Sequence, residues 1–183
     1  MHYYDTIAFS YFFYNPNVKH RYSPISSSEV IPAISFFSIE EFLHANLNRN
    51  ASNWNNPKTY YQLWEDLEMF KSYFDIIEEI KMKDINTSFS RVVSRIINYA
   101  NEKRLDYNTL YTERKIPEMM DIVHLIVADL AGAHTFITAD GKFDFFQDIE
   151  NLPLRTISQI IILDRKDFEK EHGVTIHHSS SVV

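Results

Sequence analysis

Apolar positions recur along this chain at two spacings, and the alternation between them sets the expected architecture. His2 to Phe13 is aromatic and apolar, interrupted by Asp5 and Ser10. It predicts a short buried strand running into a turn or helix, which Asn15-Pro16-Asn17 then breaks. Val30 to Phe37 is a second apolar run suited to a buried strand. Behind it, Ser38-Ile39-Glu40-Glu41 has the capping-box pattern that opens a helix. The Asn-rich stretch 46–58, ending near Pro57, predicts a loop. Leu63, Leu67, Phe70, Phe74 and Ile77 fall at helical spacing within Thr59 to Lys83. Val92, Ile96, Tyr99 and Ala100 do so within Phe89 to Leu105. Two helices facing a common core are expected there. Pro117 and Glu118 open a helix from Met119 to Ala131, which Gly132 closes. His134 to Thr138 and Gln159 to Leu163 predict two further strands, and Lys166 to Glu171 a short polar helix.

Strands separated by helices point to an α/β protein with a parallel sheet covered by helices. No internal repeat or linker divides the chain, so its 183 residues are read as one domain. The region of about 46–116 is expected to be an additional helical part packed on the sheet.

Composition narrows the chemistry. With no cysteine, a disulfide scaffold, a thiol nucleophile and a cysteine-bound zinc are ruled out. Three glycines, at 132, 141 and 173, leave no glycine-rich phosphate loop. The formal charge of −7 argues against a broad basic surface for nucleic acid. It is compatible with a nuclease, whose own carboxylates belong to that count. No apolar run approaches the roughly 18 residues of a membrane span. Residues Met1 to Asp5 lack the basic start of a signal peptide, so a cytoplasmic protein without membrane contact is expected.

In a parallel sheet ligands bind beyond the carboxyl ends of the strands. Few acids lie there. Asp5 interrupts the first strand, Glu41 sits early in the helix after the second, Asp121 starts a helix, and Asp140 follows the strand ending at Thr138. Structural roles compete for three of them. Glu41 can complete a capping box with Ser38. Asp121, like Glu118, favours a helix N-terminus. Asp140-Gly141 is a common turn pair. Asp5 is the least easily explained, because an acid among aromatic residues requires a partner or a metal.

The stretch from Asp121 to Asp140, DIVHLIVADLAGAHTFITAD, resembles the C-terminal signature of PIN-domain proteins. Asp121, His124, Ala128, Gly132, Phe136, Thr138 and Asp140 carry that match. Tyr3-Tyr4-Asp5-Thr6 is similar to the family's first strand. Ile34-Ser35-Phe36-Phe37-Ser38-Ile39-Glu40-Glu41-Phe42 is similar to its second motif. The resemblance spans about 1–45 and 116–165. It implies a three-layer α/β/α sandwich with a short central parallel sheet. It also implies Mg²⁺- or Mn²⁺-dependent hydrolysis of RNA, leaving 5′-phosphate and 3′-hydroxyl ends. Asp5, Glu41, Asp121 and Asp140 correspond to the family's metal-holding acids, and Thr138 to its hydroxyl residue. Asp144 is a candidate further acid. A toxin role with a small antitoxin partner, and a homodimer, are implied for compact relatives.

Physical chemistry agrees with such a site. Mg²⁺ prefers oxygen ligands. Two carboxylates ~5 Å apart repel by about 3 kcal/mol at an effective dielectric near 20, a repulsion that a divalent ion removes. His124 is read mainly as a hydrogen-bonded interior residue one turn from Asp121. His172, His177 and His178 are read as a polar C-terminal tail. Lys19, His20, Arg21, Lys142 and Arg155 are basic groups that could meet phosphate. The alternative reading is a catalytically inactive binding or scaffold module of the same fold. A flap-type DNA nuclease is a third, for which the chain is short.

Overall fold

Among the described residues, five short strands form one parallel sheet, in the spatial order Asp75–Ile77, Pro32–Ser35, His2–Tyr4, Thr135–Thr138 and Gln159–Ile162, with His2–Tyr4 at its centre. The computed structural model describes residues 1–13, 32–50, 60–71, 74–106, 108, 110 and 116–175. The Asn15-Pro16-Asn17 breaker, the basic Lys19-His20-Arg21 cluster, His177 and His178 lie outside the described residues. In chain order the elements begin with β1 (His2–Tyr4), α1 (Thr6–Phe13), β2 (Pro32–Ser35) and α2 (Phe36–Asn50). Next come α3 (Tyr60–Lys71), β3 (Asp75–Ile77), α4 (Met82–Glu102) and α5 (Met119–Leu130). The last are β4 (Thr135–Thr138), a 3₁₀ turn (Gly141–Phe143), α6 (Asp144–Gln147), β5 (Gln159–Ile162) and α7 (Arg165–His172).

Side chains alternate across a strand, so successive residues of β1 and β4 feed opposite cores. Tyr4 and Ile137 pack with Phe9, Phe12, Phe42 and Phe168, from α1, α2 and α7. Tyr3 and Phe136 pack with Val92, Leu125 and Phe146, from α4, α5 and α6. The ring of Tyr3 stacks on Phe136 at 5.5 Å, and Phe136 meets Phe143 at 5.0 Å. Two apolar cores, one on each face of a buried sheet, make the α/β/α sandwich. Burial on both faces also accounts for the nearly continuous apolar runs in β1, β2 and β4.

The expected helix from Thr59 to Lys83 is corrected. Helix α3 ends at Lys71, and Asp75–Ile77 is an edge strand paired with β2 through Ala33↔Asp75 and Ile34↔Ile76. Phe74 and Ile77 fit helical spacing by coincidence, and the exposed edge of β2 supplies the hydrogen bonds that decide for strand. The expectation that the two middle helices share a core is also corrected. Leu67 of α3 lies in the core of α1 and α2, whereas Val92 and Ile96 of α4 lie in the opposite one. Between them β3 carries the chain along the sheet edge. Helix α4 begins at Met82 rather than Phe89, and α2 continues to Asn50, into the expected loop.

The capping box at Ser38 is corrected as well. Helix α2 starts at Phe36, and the Ser38 N–H donates to the Ser35 hydroxyl at 3.2 Å. Ser38 is therefore inside the helix, and Glu41 is released from a capping role. Helix α5 ends as expected, at Gly132 with φ +82°, a conformation that glycine adopts without strain. Among the described residues no helix is long and apolar enough to cross a membrane.

Candidate active site

Asp5 leaves β1 at the centre of the sheet and turns the chain into α1. Its backbone N–H donates to Ile137 O at 2.9 Å, and its carbonyl accepts from Phe9 N–H at 2.8 Å. Its carboxylate accepts the Ala8 N–H at 2.7 Å and the hydroxyl of Thr138. Only 5% of the residue is exposed. Burial pushes its pKa up to about 7, against the pull of those two hydrogen bonds and of His124. The charge of Asp121 adds to the rise.

Thr138, fully buried at the end of β4, joins two of the acids. Its hydroxyl donates to Asp5 and accepts the Asp140 N–H at 2.9 Å. Asp140 in turn accepts the Lys142 N–H at 2.9 Å and so caps the 3₁₀ turn. Lys142 Nζ lies 3.1 Å from Glu118 Oε1 and 3.8 Å from Asp140 Oδ2. Asp121 accepts the Glu118 N–H at 2.7 Å within a reciprocal capping box. Burial raises its pKa to about 6 despite that bond, and Asp140 contributes to the rise. The turn role of Asp140 and the helix-start role of Asp121 are thus both present, alongside their electrostatic coupling.

Glu41 stands apart in its bonding. It accepts from the Thr6 hydroxyl at 2.5 Å and pairs with His124 Nε2 at 2.9 Å. Burial alone would raise its pKa, but His124 and Thr6 outweigh burial and lower it. On the other side of the ring, His124 Nδ1 is 2.8 Å from the Tyr3 hydroxyl. That hydroxyl also reaches Ser35 at 2.7 Å and Ser38 at 3.1 Å. The network is satisfied if Tyr3 donates to Nδ1 and the Nε2–H donates to Glu41, a tautomer assigned from these contacts. The sequence reading placed His124 beside Asp121 as an interior residue. It is interior, and its acid partner is Glu41. Tyr3 was missed, although a tyrosine in a buried strand needs a partner for its hydroxyl.

Asp144 heads α6, on the wall of a neighbouring cavity of about 460 Å³. Asp129 was also missed, because it reads as one polar residue of a helix. It is buried, and one carboxylate oxygen accepts N–H groups of Arg155 and Thr156 at 2.7 Å and of Ile157 at 3.2 Å. It ties the approach to β5 onto the end of α5. Arg155 thereby has a backbone role.

Asp5, Asp121 and Asp140 suit a divalent cation in donor chemistry, since they offer hard oxygens, and the charge of Asp140 adds to the rise that burial causes at Asp121, as Asp121 does at Asp5. Among the described residues, no group of three His, Asp or Glu side chains stands ready to hold a metal.

The raised pKa values fix a sign for pH dependence. Asp5 and Asp121 hold protons in the folded state up to about 7 and about 6, against 3.8 for an unfolded aspartate. Between those values the folded state binds more protons, so these groups' contribution to stability is lost as pH rises. Without divalent metal, Asp5→Asn is expected to gain on wild type by about 2–4 kcal/mol between pH 4 and pH 8. Urea melts of both proteins at the two pH values check this. A stability gap independent of pH would show Asp5 to titrate normally.

No family model matches the chain, and no curated protein matches it in sequence. Solved structures match in shape. VapBC2 from Rickettsia felis, bound to a DNA fragment from the promoter, aligns with a TM-score of 0.55 at 17% identity. That alignment covers 90% of this chain and 100% of the other. VapBC-1 from nontypeable Haemophilus influenzae aligns at 0.54 with 14% identity, over 88% of this chain and 98% of the other. DNA-bound VapBC from Salmonella typhimurium aligns at 0.52 with 13% identity, over 86% and 96%. The fold is PIN-like. Asp5 directly follows the central strand, and Asp140 lies two residues beyond the end of β4.

Proposed function

We propose that this protein is a Mg²⁺- or Mn²⁺-dependent endoribonuclease and the toxin of a toxin–antitoxin pair, acting in the cytoplasm and restrained by a small antitoxin protein. One observation carries the nuclease reading. A buried aspartate ends the central strand, is bonded to Thr138, and is coupled through Asp121 to Asp140. The likeness of fold to the VapBC structures supports the toxin part.

In this reading Asp5, Asp121 and Asp140 would hold the cation from three separate parts of the chain. Glu41, kept ionised by His124 and Thr6, adds a fixed negative charge. Thr138 fixes the spacing of Asp5 and Asp140. Lys142, beside Asp140, supplies a positive charge for a phosphate oxygen. A cation bound there would supply the Lewis acidity that activates water and offsets charge developing on phosphorus.

A second reading, an inactive binding module, is favoured by the lack of a ready-made metal cage among the described residues. Cleavage of a mixed RNA pool in Mg²⁺, Mn²⁺ or EDTA, with wild type and Asp140→Asn in parallel, separates the two. The nuclease reading expects metal-dependent cutting by wild type, reduced at least about 100-fold in Asp140→Asn. Absence of both cutting and calorimetric Mn²⁺ binding would establish the inactive module.

A further inference from the structure

The cavity beside the acids has a chemistry of its own. It opens between Tyr99 of α4, with Leu105 and Leu110 beyond that helix, and the 3₁₀ turn leading into α6. Its apolar wall holds Tyr99, Leu105 and Phe145, with the Tyr99 and Phe145 rings edge-to-face at 5.7 Å. Its polar wall holds Asp144 and Asp148, which begin and cap the single turn of α6 and so stand one helical turn apart. Lys142 also lines it, with Nζ 3.8 Å from Asp140 Oδ2. At about 460 Å³ this open cleft is within the range of small-ligand sites.

We propose that this cavity is a nucleobase subsite that selects guanine in single-stranded RNA next to the cleaved phosphate. This rests on the nuclease reading of the neighbouring acids. Aromatic rings give unstacked bases a stacking surface whatever their identity. Identity is read from the Watson–Crick edge. Guanine presents two adjacent donors there, N1–H and the N2 amino group, and a carboxylate accepts both. Uracil presents one N–H between two carbonyls, which a carboxylate repels. A base seated here leaves its phosphate near Lys142 and Asp140, since Gly141 alone separates those two in the chain. Asp144, a candidate ligand in the sequence, thus becomes a specificity residue.

The test has an arm that does not depend on cleavage. Full-length wild-type protein is titrated with GMP, IMP and UMP in EDTA, followed by ligand-observed NMR. GMP is expected to bind at least about tenfold more tightly than UMP, with IMP between them because it lacks the N2 amino group. Tyr99→Leu, which preserves apolar packing, should weaken GMP about tenfold or more. Asp144→Asn and Asp148→Asn, both at exposed positions, should erase the preference for GMP over UMP. The second arm maps cut sites in a random RNA pool, where wild type should enrich guanine at one position beside the cut and Asp144→Asn should not. GMP selectivity without cutting would uphold the subsite and overturn the nuclease reading. Metal-dependent cutting with equal GMP and UMP binding and no guanine enrichment would overturn the subsite alone.

Discussion

Asp5→Asn is expected to lower the rate of RNA cleavage at saturating Mn²⁺ by about 100- to 1,000-fold and leave the protein fully folded. The loss corresponds to about 3–4 kcal/mol of transition-state stabilisation, a usual size for removing one charged group from such a site. The amide retains an oxygen that can accept the Ala8 N–H, as the carboxylate does at 2.7 Å. It removes a charge that burial disfavours. A most conservative change should thus separate two properties that usually fall together. Single-turnover cleavage and a thermal melt on the same preparation check it. An unfolded Asp5→Asn protein would make this acid structural, and a folded, fully active one would remove it from the site.

Asp129→Ala is expected to do the reverse. It lies outside the acid group, and its carboxylate gathers three backbone N–H groups and the Thr156 hydroxyl. Without it those donors must find water or move, at a cost of about 2–4 kcal/mol. For a chain of this size that lowers Tm by roughly 5–15 °C. Cleavage per folded molecule, measured well below Tm, should stay within about twofold, because Asp5 and Asp140 are held by β1 and β4. A melt unchanged by the substitution would show that 155–157 satisfies itself without Asp129.

The placements legible in the sequence came from local pattern. Asp5 interrupts a buried aromatic strand, and Thr138 with Asp140 closes another. What stayed hidden depended on distant partners. The three residues of β3 carry too little pattern to outweigh a helical spacing around them, and only the free edge of β2 decides their state. Ser38 and Glu41 satisfy a capping pattern that also arises inside a helix, and the true start is set by Ser35 at the end of β2. Tyr3, His124 and Glu41 come from three elements, so their hydrogen bonds exist only after the sheet has formed. Asp129 resembles one solvated position of a helix until the loop that it gathers is seen.

Thr138 and Asp5 meet across 133 residues of sequence. Their contact requires β1 to pair with β4, a long-range pairing that carries a loop-closure cost in entropy. During synthesis, a chain still short of Asp140 lacks one of the acids and the strand that positions it. Under the nuclease reading, the growing polypeptide is therefore harmless to the messenger and the ribosome producing it. On that reading, Asp5 and Asp140 come together only when β4 has docked beside β1.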